Sequence, residues 1–108
     1  MNTTGFIRGY MSKNQEGEKY LDHVVGVIEQ QLQEIDENYE AEVTKIEEYK
    51  ISVRNNNQAI HIKISKPQLL KLQSRSPYSL DKYIWTNLTK NGVEVTNANG
   101  NYLDYVFR

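Results

Sequence analysis

The chain has 108 residues, 25% of them charged and 38% hydrophobic, with a net charge of −1. That length describes a single domain, 1–108, and eight tyrosines, two phenylalanines and one tryptophan are too many aromatics for a disordered tail. There is no cysteine, which removes disulfides, thiolate nucleophiles, iron–sulfur clusters and cysteine-type zinc sites, and no apolar run reaches the length of a bilayer span.

Met1 to Tyr10 carries no long apolar block behind a basic start, so a signal peptide is not expected. A cysteine-free chain suits a reducing cytosol, and the expected location is cytoplasmic. Lysine outnumbers arginine nine to four, and asparagine and isoleucine are frequent, a bias associated with AT-rich bacterial or phage genomes. Charge is unevenly spread. Residues 1–50 hold eleven acids and five bases, a net of −6, whereas residues 51–108 hold three acids and eight bases, a net of +5.

Residues 1–16 show no period. Phe6, Ile7, Tyr10 and Met11 are apolar enough to dock, and Gly5 and Gly9 break regularity. They are expected to form a loosely ordered N-terminal arm, with an edge strand as one form of docking. From about Glu18 to Tyr39 the period is helical. Leu21, Val24, Ile28, Leu32, Ile35 and Tyr39 step by three or four and make one apolar stripe, while Glu18, Asp22, Glu29, Glu34 and Glu37 form an acidic outer face.

From about Glu42 the period becomes two. Tyr49, Ile51 and Val53 alternate with polar residues, as do Ile60, Ile62 and Ile64. A two-residue turn at Asn56-Asn57 pairs Val53 with Ile60, Ile51 with Ile62 and Tyr49 with Ile64, so every apolar residue lands on one face. Ile46 is out of phase with Tyr49, which implies a bulge near Glu47-Glu48. Ser65-Lys66-Pro67 then starts a helix with Ser65 as cap, and Ser76-Pro77 ends it. Ser79 is expected to cap a second helix running from Leu80 to about Lys90, closed by Asn91-Gly92, with Ile84, Trp85 and Leu88 inward. Val93 and Val95, then Leu103, Tyr105 and Phe107, keep apolar residues at odd positions. That pattern predicts a final hairpin around an odd loop, Ala98-Asn99-Gly100. The expected fold is α+β in the order α-β-β-α-α-β-β. Two antiparallel hairpins form a four-stranded sheet, or two smaller sheets, packed against a long N-terminal helix.

Chemistry-bearing patterns are few. Asp22 and His23 are neighbours on a helix and point about 100° apart, so they cannot orient one another. His61 faces Ser52 across the first hairpin, with no third group and no oxyanion donors implied. The carboxylate pairs Asp36-Glu37 and Glu47-Glu48 read as solvated, and the glycines form no phosphate-binding loop. No catalytic residue, cofactor site or metal site is expected.

Two features bear on binding. The order helix from Pro67, turn at Ser76-Pro77, helix from Leu80, then hairpin resembles the helix-turn-helix and wing of winged-helix DNA-binding domains over about residues 65–107. Trp85, Leu88 and Gly92 stand roughly where such domains place two inward residues and the glycine before the wing. A hairpin rather than a single strand precedes the helices, which departs from that pattern. The resemblance implies nucleic-acid contact through Lys63, Lys66, Lys71, Arg75 and Lys82. The plainer alternative is that these helices and strands simply complete the core. The second feature is the acidic helix, which serves solubility, mimics a phosphate backbone or pairs with the basic half of a second copy. The leading expectation is a small non-enzymatic protein-interaction or regulatory module. Its partner is an unknown protein or a second copy docking through Leu32, Ile35 and Tyr39. The alternative is a nucleic-acid-binding domain, and no membrane partner is expected.

Overall fold

A computed structural model of the chain describes Arg8, Tyr10, residues 16–95 and residues 102–107. Among these, helix α1 spans Gly17–Ile35, and three strands follow: β1, Glu40–Lys45; β2, Tyr49–Arg54; and β3, Ala59–Ile64. Helices α2, Lys66–Arg75, α3, Ser79–Lys90, and the short α4, Tyr102–Val106, complete the fold. The strands form one antiparallel sheet in the order β1-β2-β3. No helix among the described residues is long and apolar enough to cross a membrane.

The four-stranded sheet expected from the sequence is not what forms. The last hairpin is absent: residues 93–95 are not strand, and Tyr102–Val106 is helical. The reason is that Tyr102 and Val106, four apart and so on one helical face, are both buried, while Phe107 is exposed. The odd-position alternation of Leu103, Tyr105 and Phe107 was therefore a coincidence of composition. The proposed loop at residues 98–100 lies outside the described residues. A different strand takes the missing place. Glu40–Lys45 pairs with β2 along its whole length, from Glu40 opposite Arg54 to Lys45 opposite Tyr49. The segment expected to carry a bulge near Glu47-Glu48 is instead the turn between β1 and β2.

The β2–β3 register is the one that alternation demands: Tyr49 faces Ile64, Ile51 faces Ile62 and Val53 faces Ile60. The turn is set by Asn55, whose side-chain oxygen accepts from the amides of Asn57 and Gln58, and no left-handed residue is needed. Ala41 and Val43 of β1 extend the same apolar face, half-buried.

Against that face packs α1, with Tyr20, Leu21, Val24, Val25, Ile28 and Leu32 all buried. The helix stops at Ile35, short of Tyr39. The Asp36 carboxylate accepts from the Asn38 amide and closes a turn that swings Tyr39 into the core. Tyr39 kept helical phase in the sequence without belonging to the helix. Ser65 caps α2 through the Gln68 amide, as its position before Pro67 suggests. Ser79 does not cap α3. It lies inside the first turn, hydrogen-bonded to Ser76 at 2.6 Å, and the N-cap position falls to Tyr78. Gly92, at φ +98°, supplies the left-handed exit from α3 that few other residues adopt.

With Ile62 buried and His61 exposed on opposite sheet faces, Ile62→Ala should cost about 2–5 kcal/mol in urea unfolding. His61→Ala should cost far less. Equal losses would place the apolar face wrongly.

Candidate functional site

The most unusual chemistry is buried. Asp81 lies in the first turn of α3 with no exposure, beside the inward residues Leu80, Ile84 and Trp85. Its carboxylate is met from both ends of the chain. Arg8, helical and 1% exposed, gives a buried ion pair to one oxygen, and the Tyr102 hydroxyl of α4 donates to the other. Trp85 donates its indole N–H to the Tyr102 oxygen at 3.2 Å. The Arg8 guanidinium also lies over the rings of Tyr78, 5.0 Å from the centroid, and Tyr20, at 6.0 Å. Tyr20 in turn donates to the Pro77 carbonyl between α2 and α3 at 2.9 Å. Arg8 Nε and Nη2 meet no acceptor among the described residues.

Burial pushes the Asp81 carboxyl above the ordinary carboxylate range, and Arg8 and the Tyr102 hydroxyl oppose that shift by favouring the charged form. Burial also works against charge on Arg8, but Asp81 outweighs it and holds the guanidinium protonated. Tyr20 is pushed up to about 12, first by burial and against the pull of Arg8. Each carboxylate oxygen is thus engaged, one by Arg8 and one by Tyr102, and the group is fully buried.

The accessible counterpart lies on the other side of α3. Lys82, Thr86 and Lys90 recur every four residues and so share one face, away from Ile84, Trp85 and Leu88. Across from them stand Arg75 at the end of α2 and, from α4, Tyr105 and Val106. Together they line an open groove of about 650 Å³ that contains three cations and, among the described residues, no carboxylate. Arg75, Lys82 and Lys90 are exposed, and none has an ion-pair partner among the described residues. In a chain whose net charge is −1, that concentration is a local positive field. The groove floor holds Tyr78, whose ring stacks on Tyr105 with centroids 5.7 Å apart and planes 9° apart. Tyr83 donates to the Lys63 carbonyl at 3.1 Å, tying α3 to strand β3.

Of the five basic residues expected to share a surface, only Arg75 and Lys82 line this groove, where Lys90 joins them. Lys66 lines a separate cleft with Glu16 and Glu18, and Lys63 another with Glu47 and Glu48. Lys71 is exposed on α2 and lines none of the three. The wing of the winged-helix resemblance is missing, because α4 stands where its return strand was expected. Leu32 and Tyr39 are buried in the chain's own core, and Ile35 is half-buried.

On the outer sheet face Ser52 lies 3.1 Å from His61 Nδ1, as the register requires. Glu42 is next in that cross-strand row, opposite Ser52 rather than beside His61, and its carboxylate is held by Arg54. Serine therefore separates the acid from the histidine, the wrong order for a charge-relay triad. Among the described residues no cluster of three or more His, Asp or Glu could hold a metal ion.

No known family model, no curated protein and no solved structure matches this chain.

Two measurements test the buried network. Asp81→Asn leaves Arg8 buried against a neutral partner and should cost about 3–5 kcal/mol, whereas Arg8→Met combined with Asp81→Leu should recover most of that loss. A double variant whose loss equals the sum of the losses of Arg8→Met and Asp81→Leu made singly would mean that the pair is not coupled. The second concerns alkali. The folded state holds the Tyr20 proton more tightly than the unfolded chain, whose tyrosine titrates near 10. Its contribution is complete below pH 10 and is lost as pH rises through about 12. Tyr20→Phe should flatten the fall in stability over that window in denaturant titrations, and an unchanged slope would assign the fall to other groups.

Proposed function

We propose that the chain is a non-enzymatic binding module whose docking surface is the groove between α2, α3 and α4 and whose partner is a polyanion. The observation that carries this reading is the set of three exposed cations, Arg75, Lys82 and Lys90, without an ion-pair partner among the described residues, around a concave surface whose described lining holds no acid. Exposed lysine and arginine side chains gain little from one another. They gain much by releasing the counterions of a polyanion that spans them. An apolar protein partner is less well supported. The large exposed apolar residues, Ile46, Leu70, Val95 and Phe107 among them, sit on different segments of the chain. A non-enzymatic role is supported by the Ser52–His61 pair, whose serine is buried and whose cross-strand acid, Glu42, is engaged by Arg54.

A labelled heparin fragment serves as a polyanion without sequence or bases. At low ionic strength it should bind saturably, and affinity should fall as salt is raised. Arg75→Glu with Lys82→Glu should weaken binding by at least about tenfold, since both cations border the groove. Lys63→Glu, in a different cleft, should change it little. No saturable binding at low salt, or an equal effect of Lys63→Glu, would remove the groove from consideration.

A further inference from the structure

We infer that the chain pairs with a second copy of itself along strand β3, joining the two sheets edge to edge. β3 is the outer strand on the side away from β1. Which of its backbone groups are free follows from the hairpin turn. The Asn55 amide donates to the Gln58 carbonyl at 3.0 Å, so those two residues form a hydrogen-bonded pair. Antiparallel pairs alternate between bonded and non-bonded. Ile60, Ile62 and Ile64, opposite Val53, Ile51 and Tyr49, therefore spend their backbone groups on β2, while Ala59, His61 and Lys63 turn theirs outward. The contact from Tyr83 agrees, since it reaches the Lys63 carbonyl from α3. Among the described residues nothing meets the amides of Ala59, His61 and Lys63 or the carbonyls of Ala59 and His61. The side chains of all three residues are exposed, so this edge is open to a neighbour.

The strand is complementary to itself in one antiparallel register. Outward-bonding residues must face outward-bonding residues, which places the two-fold axis at His61 or at Ile60. An axis at Ile60 sets Ile62 opposite Gln58, whose amide is already given to the Tyr39 hydroxyl. An axis at His61 sets Ile60 opposite Ile62 on the core side and Lys63 opposite Ala59 on the outer side. A lysine on an edge strand ordinarily repels a neighbour. Here it falls opposite the smallest side chain of the strand, and no like charges are opposed. The two His61 rings meet on the outer face, each already held by its own Ser52.

In this register each His61 exchanges amide and carbonyl bonds with the other His61, and each Lys63 amide donates to the Ala59 carbonyl of the other copy. The Lys63 carbonyl keeps Tyr83, which ends the ladder. Strand β1 does not serve as the partner edge, because its Ala41 amide is engaged by Glu29. β3 therefore meets β3, and the assembly closes as a dimer. Ile60 and Ile62 are already buried within one chain, so backbone bonds supply most of the gain and the dimer is transient.

Sedimentation velocity and residue-resolved amide exchange on the full chain test this. Between about 10 μM and 1 mM the chain should pass from monomer toward dimer. Over the same range exchange at the His61 and Lys63 amides should slow by about threefold or more. Ala59→Lys places a lysine opposite Lys63 of the other copy, twice per dimer, and should weaken association by roughly fivefold. Ala59→Glu should tighten it by a similar factor, and Glu40→Lys on the β1 edge should leave it unchanged. A monomer at every concentration overturns the inference. So does a dimer whose His61 and Lys63 amides exchange independently of concentration, for the contact then lies elsewhere. Effects of the same sign from both Ala59 variants, or a loss from Glu40→Lys as large as that from Ala59→Lys, overturn it as well. If an Ala59 variant fails to fold, exchange on the unmodified chain still decides.

Discussion

Asp81 and Arg8 lie 73 residues apart and meet in a region that excludes water. Taking both charges out of water costs several kcal/mol each, and their attraction offsets this only with good geometry and further hydrogen bonds. Asp81 has those: a second donor in Tyr102 and a place in the first turn of a helix, where the backbone dipole favours an anion. Arg8 is less completely served, since two of its nitrogens find no acceptor among the described residues and two tyrosine rings stand in their place. The interaction therefore specifies more than it stabilises. Hydrophobic packing alone would let the N-terminal segment, α3 and α4 slide over one another. A carboxylate with two fixed partners admits one arrangement.

What that arrangement positions is the groove wall. Tyr102 and Tyr105 belong to the same short helix, which is too short to be stable by itself. Its hold on the molecule comes from Tyr102 on Asp81 and Trp85, and from the stack of Tyr105 on Tyr78. Because Arg8 lies over the Tyr78 ring as well, one guanidinium braces both attachments. The buried polar network and the exposed basic face are thus two sides of a single helix, α3. The inner side sets where the outer side's neighbours stand.

Much of this was written locally in the chain and could be read from it. Period-two alternation with a polar turn has one solution for Tyr49 to Ile64, because a slip by one residue would turn every isoleucine to solvent. Ser65 before a proline, and Gly92 after Lys90, are local backbone signals that need no tertiary information. Elements whose state depends on distant partners were misread. Strand β1 has only Ala41 and Val43 to mark its inner face, and its membership is decided by backbone pairing with β2. The 102–107 segment offers both a strand pattern and a helical pair, and the partners that choose the helix, Asp81 and Trp85, lie about twenty residues away. Asp81 itself carried a legible warning. It precedes Ile84 and Trp85 by three and four residues, so an acid falls on the apolar face of its helix and demands a cation. Which cation was not legible, since Arg8 sits in a segment without period. In the groove, Lys82 and Lys90 share a helical face visibly in the sequence, but Arg75 and Tyr105 join them only through the docking of α2 and α4.

Strand β1 is an edge of the sheet, and an edge of unpaired amides is an invitation to any other strand, including that of a neighbouring copy. Here the Ala41 amide is already taken by the Glu29 carboxylate reaching across from α1 at 2.9 Å, and Arg54 gathers Glu40 and Glu42 along the same strand. A second chain that sought to add itself to this edge would have to expel a carboxylate from its donor and set its own backbone among acids. The helix that covers the core thus also guards this border of the sheet. At the β1 edge a neighbouring strand would meet an occupied amide and a row of acids instead of an open template.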